Sequence, residues 1–273
     1  MFRFSSLPTV LALALATTSA HALPLVEVDI APFVQGGVIK INSHDDAGGV
    51  LVDTSGNARV FLYDLRGEGD DSVPPFLFLD DPGINSEAIP APGFTPGSNV
   101  GIQVLSSLKF WDGNGPVNFQ EVTNGEAIEL TVFGFGRNVA TAALTDFDPF
   151  FIFDVDANGT FAHNHIESIL QDESSALSGL YLIELRVVQG TRDNQSGLAD
   201  GTIDPLVTPS HSLFVLYNMA SGLDEDELQV LAEAVLASLD QGTGGPGNGA
   251  IPEPASALLL LAGMTALARR RRA

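Results

Sequence analysis

Between residues 36 and 218 the apolar positions come in short runs, without a long stripe of helical spacing. GGVIKIN (36–42), GVLVDT (49–54), ARVFLYDL (58–65) and GIQVLSSLKFW (101–111) are rich in β-branched and aromatic residues. So are EAIELTVFGF (126–135), FFIFDVD (150–156), GTFAHNHIESIL (159–170), GLYLIELRVV (179–188) and SLFVLYN (212–218). Gly, Asn, Asp and Pro punctuate them, and the pattern predicts strands. Asn158-Gly159 between two apolar runs predicts a hairpin with arms at 150–156 and 160–166. Residues 67–100 break the pattern. They are rich in Pro, Gly and Asp and predict one long surface loop, of the kind that covers or carries a site.

One segment has the other periodicity. Leu228, Leu231, Val235, Leu236 and Leu239 recur at three- and four-residue spacing, which predicts an amphipathic helix with its stripe on the core. Asp224 is placed to cap it, Glu227 follows three residues on, and Gly242 ends it. Many strands with one helix predict a mainly β fold. The expected architecture is an antiparallel β-sandwich or jelly-roll-like body over 23–240, closed by that C-terminal helix. The glycine-rich stretch 241–250 then reads as a flexible linker.

Charge narrows the partners. The chain has 34 acidic and 12 basic side chains, a formal net charge of −22 and no cysteine. Its apolar fraction of 45% is enough for a real core. The acidic balance argues against nucleic acid, whose binders carry basic patches, and against adsorption to anionic lipid. Absence of cysteine excludes a disulfide scaffold and a thiol nucleophile. An acidic surface also repels anionic polymers, unless divalent cations bridge the two.

The two ends carry addresses. MFRFSSLPTVLALALATTSAHA (1–22) has a basic start at Arg3, an apolar stretch and a small-residue site at Ala20-His21-Ala22. It predicts a secretory signal peptide cleaved after Ala22. IPEPASALLLLAGMTALARRRRA (251–273) runs through Pro252, Glu253 and Pro254, an apolar segment from Ala255 to Ala268, and then Arg269, Arg270, Arg271 and Arg272. The apolar segment falls short of the roughly 20 residues of an ordinary span, so it predicts a short transmembrane helix. The arginines would stay on the cytoplasmic side. This order resembles the PEP-CTERM sorting signal of Gram-negative bacteria, with Ile251 where Val is usual. The resemblance covers 251–273. It implies export, transient anchoring in the inner membrane and handling at Pro252-Glu253-Pro254 by an exosortase-type enzyme. The implied destination is the cell surface or an exopolysaccharide matrix. Residues 150–240 also look like other PEP-CTERM proteins that carry His-x-His, a likeness with no activity attached. Once both signals are gone the body is more acidic still, because Arg3 and Arg269 to Arg272 leave with them and Glu253 is the one acid lost.

The candidate chemistry lies in the histidines, of which there are five, His21 within the signal. His163 and His165 are two apart in a strand-like run, so their side chains point to one face. Two imidazoles on one face can share a metal ion, with zinc or copper the expected kind. His211, just before the strand 212–218, and His44, in NSHDDAGG, are candidates to close the site. Glu167 is on the same face, two further on. A rival reading starts at Asp154-x-Asp156-x-Asn158-Gly159, the opening of an EF-hand-like calcium loop. Its twelfth position is His165, where a bidentate Glu is needed, so calcium is the lesser expectation.

His-x-His with a nearby Glu resembles the cupins, which are jelly-roll metal proteins. That family places the Glu four or five residues after the second His, whereas Glu167 follows His165 by two. It also places an Asn about four after a later His, whereas Asn218 follows His211 by seven. Both departures count against the family. No Gly-x-Ser-x-Gly, P-loop or dinucleotide fingerprint is present, so no local motif nominates a catalytic group. The leading expectation is an exported surface or matrix protein that binds a transition metal through its histidines. The alternatives are a structural or polysaccharide-binding matrix protein without metal, and a cupin-like metal enzyme.

Overall fold

The structure, a computed structural model, describes residues 25–26, 28–45, 50–53, 55–64, 77–79, 82–114, 117–123, 125–132, 135–141, 148–171, 179–193, 201–219 and 225–242. The expected signal peptide 1–22 and the sorting segment with Pro252, Glu253, Pro254 and Arg269 to Arg272 lie outside them. Among the described residues no helix is long and apolar enough to cross a membrane.

The chain is mainly β. In order the strands are β1 (Leu25–Val26), β2 (Asp29–Gln35), β3 (Val38–Asp45), β4 (Val50–Asp53), β5 (Val60–Asp64) and β6 (Leu77–Leu79). Next come β7 (Gly83–Ile84), β8 (Asn99–Val104), β9 (Lys109–Trp111), β10 (Gln120–Glu121), β11 (Ala127–Val132) and β12 (Phe135–Thr141). The last are β13 (Phe150–Asp154), β14 (Asn164–His165), β15 (Glu167–Gln171), β16 (Leu180–Arg192), β17 (Gly201–Ile203) and β18 (Leu213–Asn218), followed by the helix α1 (Glu225–Gly242). A nine-stranded sheet runs β1-β5-β18-β16-β8-β13, with β9 and β17 attached at β16 and β10 at β9. A four-stranded sheet runs β12-β11-β15-β6, and a five-stranded sheet β14-β7-β2-β3-β4. The four-stranded sheet is antiparallel as expected, but the other two are mixed: β1 with β5, β5 with β18 and β2 with β7 are parallel pairs. Apolar pattern carries no strand direction. β5 and β18 are far apart in sequence, and long connections allow either sense.

All three sheets supply one core. Phe61, Ile102, Ile183 and Val215 reach it from the nine-stranded sheet, Ile128 and Leu170 from the four-stranded, and Ile30, Ile41 and Ile84 from the five-stranded. Strand alternation then explains why the central strands read as unbroken apolar runs. On β5, Phe61 and Tyr63 enter the common core, while Val60 and Leu62 face the other way. There they join Leu182, Phe214 and Leu216 under Leu228, Ala232, Val235 and Leu236 of α1. Leu228, Val235 and Leu236 of the predicted stripe thus cover the sheet's second face together with Ala232, whereas Leu231 is half-buried outside that layer.

Three local expectations change. Gly36-Gly37 is the turn of a β2–β3 hairpin, with φ of +61° and +77°, and not the start of a strand. Two consecutive positive φ values are what glycine pairs supply most cheaply in a tight hairpin. Residues 82–98 are not a plain surface loop. They form β7 and bury Ser86, Ile89 and Phe94, with Pro92 accepting the Val34 N–H at 2.7 Å. The turn at Asn158-Gly159 forms, and the Asp156 N–H donates to Thr160 at 2.7 Å. Its arms do not pair: β13 lies on β8, β14 on β7 and β15 on β11 and β6. A turn reverses the chain, and the sheets on either side decide where each arm goes.

Candidate metal centre

The site is built on a transverse row of the five-stranded sheet. His165 of β14 is opposite Gly83 of β7, Ile84 is beside Ile30 of β2, and Asp29 of β2 is opposite His44 of β3. Residues in register across a sheet project from the same face. Reading across gives His165, Gly83, Asp29 and His44. The next residue along each strand, such as Ile30 or Ile84, points into the core. The row therefore lies on the face turned away from that core.

Gly83 is what joins the row. Strands are about 4.8 Å apart, so His165 and Asp29 stand two spacings from each other. A side chain between them would keep them apart. A Cβ built on Gly83 falls far inside contact with Asp29 Oδ1, at 2.8 Å from Asp29 Cγ and 3.2 Å from His163 Nε2. The missing side chain is the space in which the Asp29 carboxylate and the His163 ring meet.

Asp29 Oδ2 is 3.1 Å from His163 Nε2 and 3.6 Å from His44 Nδ1. The His163 and His165 rings are 4.7 Å apart at 42°. One ligand atom each from Asp29, His163 and His165 lies within 4.8 Å of the others. The carboxylate is nearly enclosed at 4% side-chain exposure, whereas His163 is 21% exposed. The group thus has a closed side at Asp29 and an open side at the histidines. His44 is on the closed side. Its Nδ1 is 3.4 Å from Asn85 Nδ2. Asn85 Oδ1 accepts the Glu87 and Ala88 N–H groups at 2.9 and 3.3 Å, which turns the amide nitrogen toward His44.

The other predicted residues go elsewhere. His211 Nε2 donates to the Ala58 carbonyl at 2.9 Å, and His211 is not among the Asp29, His163 and His165 ligand group. Burial pushes its pKa below the usual histidine value, with Arg59 and Lys40 acting in the same direction and the Ala58 bond opposing them. Glu167 shares the expected face by sequence, but the chain passes at Ile166 from β14 into β15 of another sheet, where Glu167 is opposite Thr131. In the calcium-like stretch, Asp154 pairs with Arg192 and accepts Asn99 Nδ2 at 2.6 Å. Asp156 accepts the Asn158 and Thr160 N–H groups at 2.8 and 2.9 Å, and these bonds hold its carboxyl below the ordinary range. Both carboxylates thus face the chain's own donors.

Asp29 is the member that sequence reasoning missed. Its signal was the alternation of Val28, Ile30 and Val34 just before Gly36-Gly37, interrupted by Pro32. The proline is tolerated because β7 pairs with β2 at Ile30 and the described ladder goes no further. Comparison with protein-family models, with curated proteins and with solved structures finds no match to this chain.

Proposed function

We propose that this chain is an exported surface or exopolysaccharide-matrix protein that binds a divalent transition metal, zinc or copper, on Asp29, His163 and His165. One observation carries the reading: three ligand atoms of metal-binding type lie within 4.8 Å around a buried carboxylate. A carboxylate removed from water is costly unless hydrogen bonds, a positive charge or a metal compensate it, and an ion shared with the two imidazoles is one such compensation. Two imidazoles and a carboxylate, without sulfur, are the donors that zinc and copper(II) accept. His44 replaces His211 in the scheme as a support for Asp29, in the way that outer groups orient metal-bound ligands. Three sheets about one core support a β-sandwich as the body.

Elemental analysis of the full chain, purified without chelators, tests the centre. Near-stoichiometric zinc or copper is expected in the parent. His163→Ala with His165→Ala should remove it while leaving the unfolding midpoint of the chelated protein close to the parent's. Unchanged metal content in the double variant refutes the site. No metal even after reconstitution favours the structural or polysaccharide-binding alternative.

The address rests on the order of features at both ends, from Arg3 to Ala22 and from Ile251 to Ala273. Deleting residues 251–273 should release the protein from the cell envelope. Membrane fractionation that persists after the deletion overturns the anchor.

A further inference from the structure

We propose that the centre keeps one coordination position for an external ligand, and that this ligand is a carboxylate monoanion. The inference rests on the metal reading above and adds what the metal is for.

Three protein ligands leave a tetrahedral ion one position short, which is the arrangement of zinc sites that bind a water or an exogenous group. The described candidates for a fourth protein ligand are directed elsewhere. His44 is on the enclosed side of Asp29, with Nδ1 toward the Asn85 amide, and is not part of the ligand group. The Nε2 of His211 is committed to Ala58. Glu167 is carried into the four-stranded sheet by the turn of the chain at Ile166. Exposure rises from Asp29 to His163, so the vacant direction is the solvent side of the two histidines.

Charge selects the ligand. A divalent ion with one carboxylate and two neutral imidazoles carries a net charge of +1. One monoanion neutralises it. A dianion such as hydrogen phosphate leaves a negative centre in a chain whose formal charge is already −22. The oxygen donor of a carboxylate also suits the borderline ions that accept Asp29. A free small acid and the uronate of an acidic polymer share this chemistry. For the polymer, the ion would bridge two anionic surfaces that otherwise repel.

The test uses the full chain loaded with cobalt(II), whose visible bands report coordination. Acetate, phosphate and oligogalacturonate are titrated at matched ionic strength. Acetate should shift the bands saturably, and phosphate should need at least tenfold more to produce any shift. A shift with acetate alone assigns a free small acid, and a shift with both carboxylates assigns the polymer; each supports the proposal. Bands that form and ignore acetate show a closed site, which overturns this inference and leaves metal binding intact. Phosphate acting as well as acetate overturns the charge argument. Absence of bands fails the metal reading itself.

Discussion

If Asp29, His163 and His165 hold a metal as proposed, Gly83→Ala should weaken its binding at least tenfold, although residue 83 offers no ligand. The added methyl stands in the space shared by Asp29 and His163, 2.8 Å from Asp29 Cγ and 3.2 Å from His163 Nε2. No real Cβ tolerates the contact with Asp29, so something must move. The backbone of β7 is fixed on both sides. His165 pairs with Gly83, and the Ile166 N–H donates to Pro82 at 2.9 Å on one edge, while the Asn85 N–H donates to Ile30 at 2.9 Å on the other. The Asp29 side chain is the softer element and swings out of the ligand group. Losing an anchoring carboxylate should weaken the metal by at least the ~10–100-fold typical of outer-group losses. Overpacking should cost about 1–3 kcal/mol of stability. Isothermal titration gives the affinity, and denaturation under chelator gives the stability. A double-mutant cycle with Asp29→Ala separates the two causes. With Asp29 truncated, the methyl meets no carboxylate, and most of the stability cost of Gly83→Ala should vanish. Metal affinity within a few-fold of the parent in Gly83→Ala would show that the glycine is not what opens the site.

The two histidines were legible because their relation is local. Residues two apart in an extended chain share a face whatever sheet they join, and the structure keeps His163 and His165 ring to ring. The helix was legible for the same reason, since its stripe is written within one segment. Asp29 was not, because its relation to His163 exists through a register across β14, β7 and β2. That register is set by pairings between residues more than fifty positions apart. β7 itself is two residues long, inside a stretch whose Pro, Gly and Asp content reads as loop. Its strand character comes from its neighbours. Glu167 shows the converse. Local spacing put it with the histidines, and a change of sheet at Ile166 took it away. The apolar runs gave the strands, yet they carried neither direction nor partner, so the parallel pairs and the divergent arms after Asn158-Gly159 had no local sign.

Phe161→Ala should cost more stability than any substitution in the metal group, about 3–5 kcal/mol. The ring is buried, stacked on Phe153 at 4.8 Å and tilted against Phe94 at 5.4 Å. Such aromatic pairs add about 0.5–1.5 kcal/mol each beyond their area. Small domains hold ~5–15 kcal/mol in total, so this single cavity removes a large share. Phe161 also has a functional position, two residues before His163. Its N–H donates to Ser86 Oγ and its carbonyl accepts from the same hydroxyl, both at 2.8 Å. These bonds continue the ribbon that pairs Asn164 with Ile84 and His165 with Gly83. The ring is therefore the apolar anchor of the segment that carries His163 and leads into β14 with His165. Chelated Phe161→Ala should unfold at much lower denaturant, and its metal affinity should fall at least tenfold, while Phe161→Leu recovers most of both. Leu228→Ala supplies the contrast. It belongs to the layer between α1 and the nine-stranded sheet, on the other face from the common core. It should cost ~2–5 kcal/mol and leave metal affinity unchanged. Equal losses of affinity in the two variants would mean that the centre responds to stability as a whole. Loss confined to Phe161→Ala would tie the metal to the ribbon from Pro82 to Ser86 and its partner strand, where a glycine, a serine and a phenylalanine hold three ligand-bearing side chains in reach of one ion.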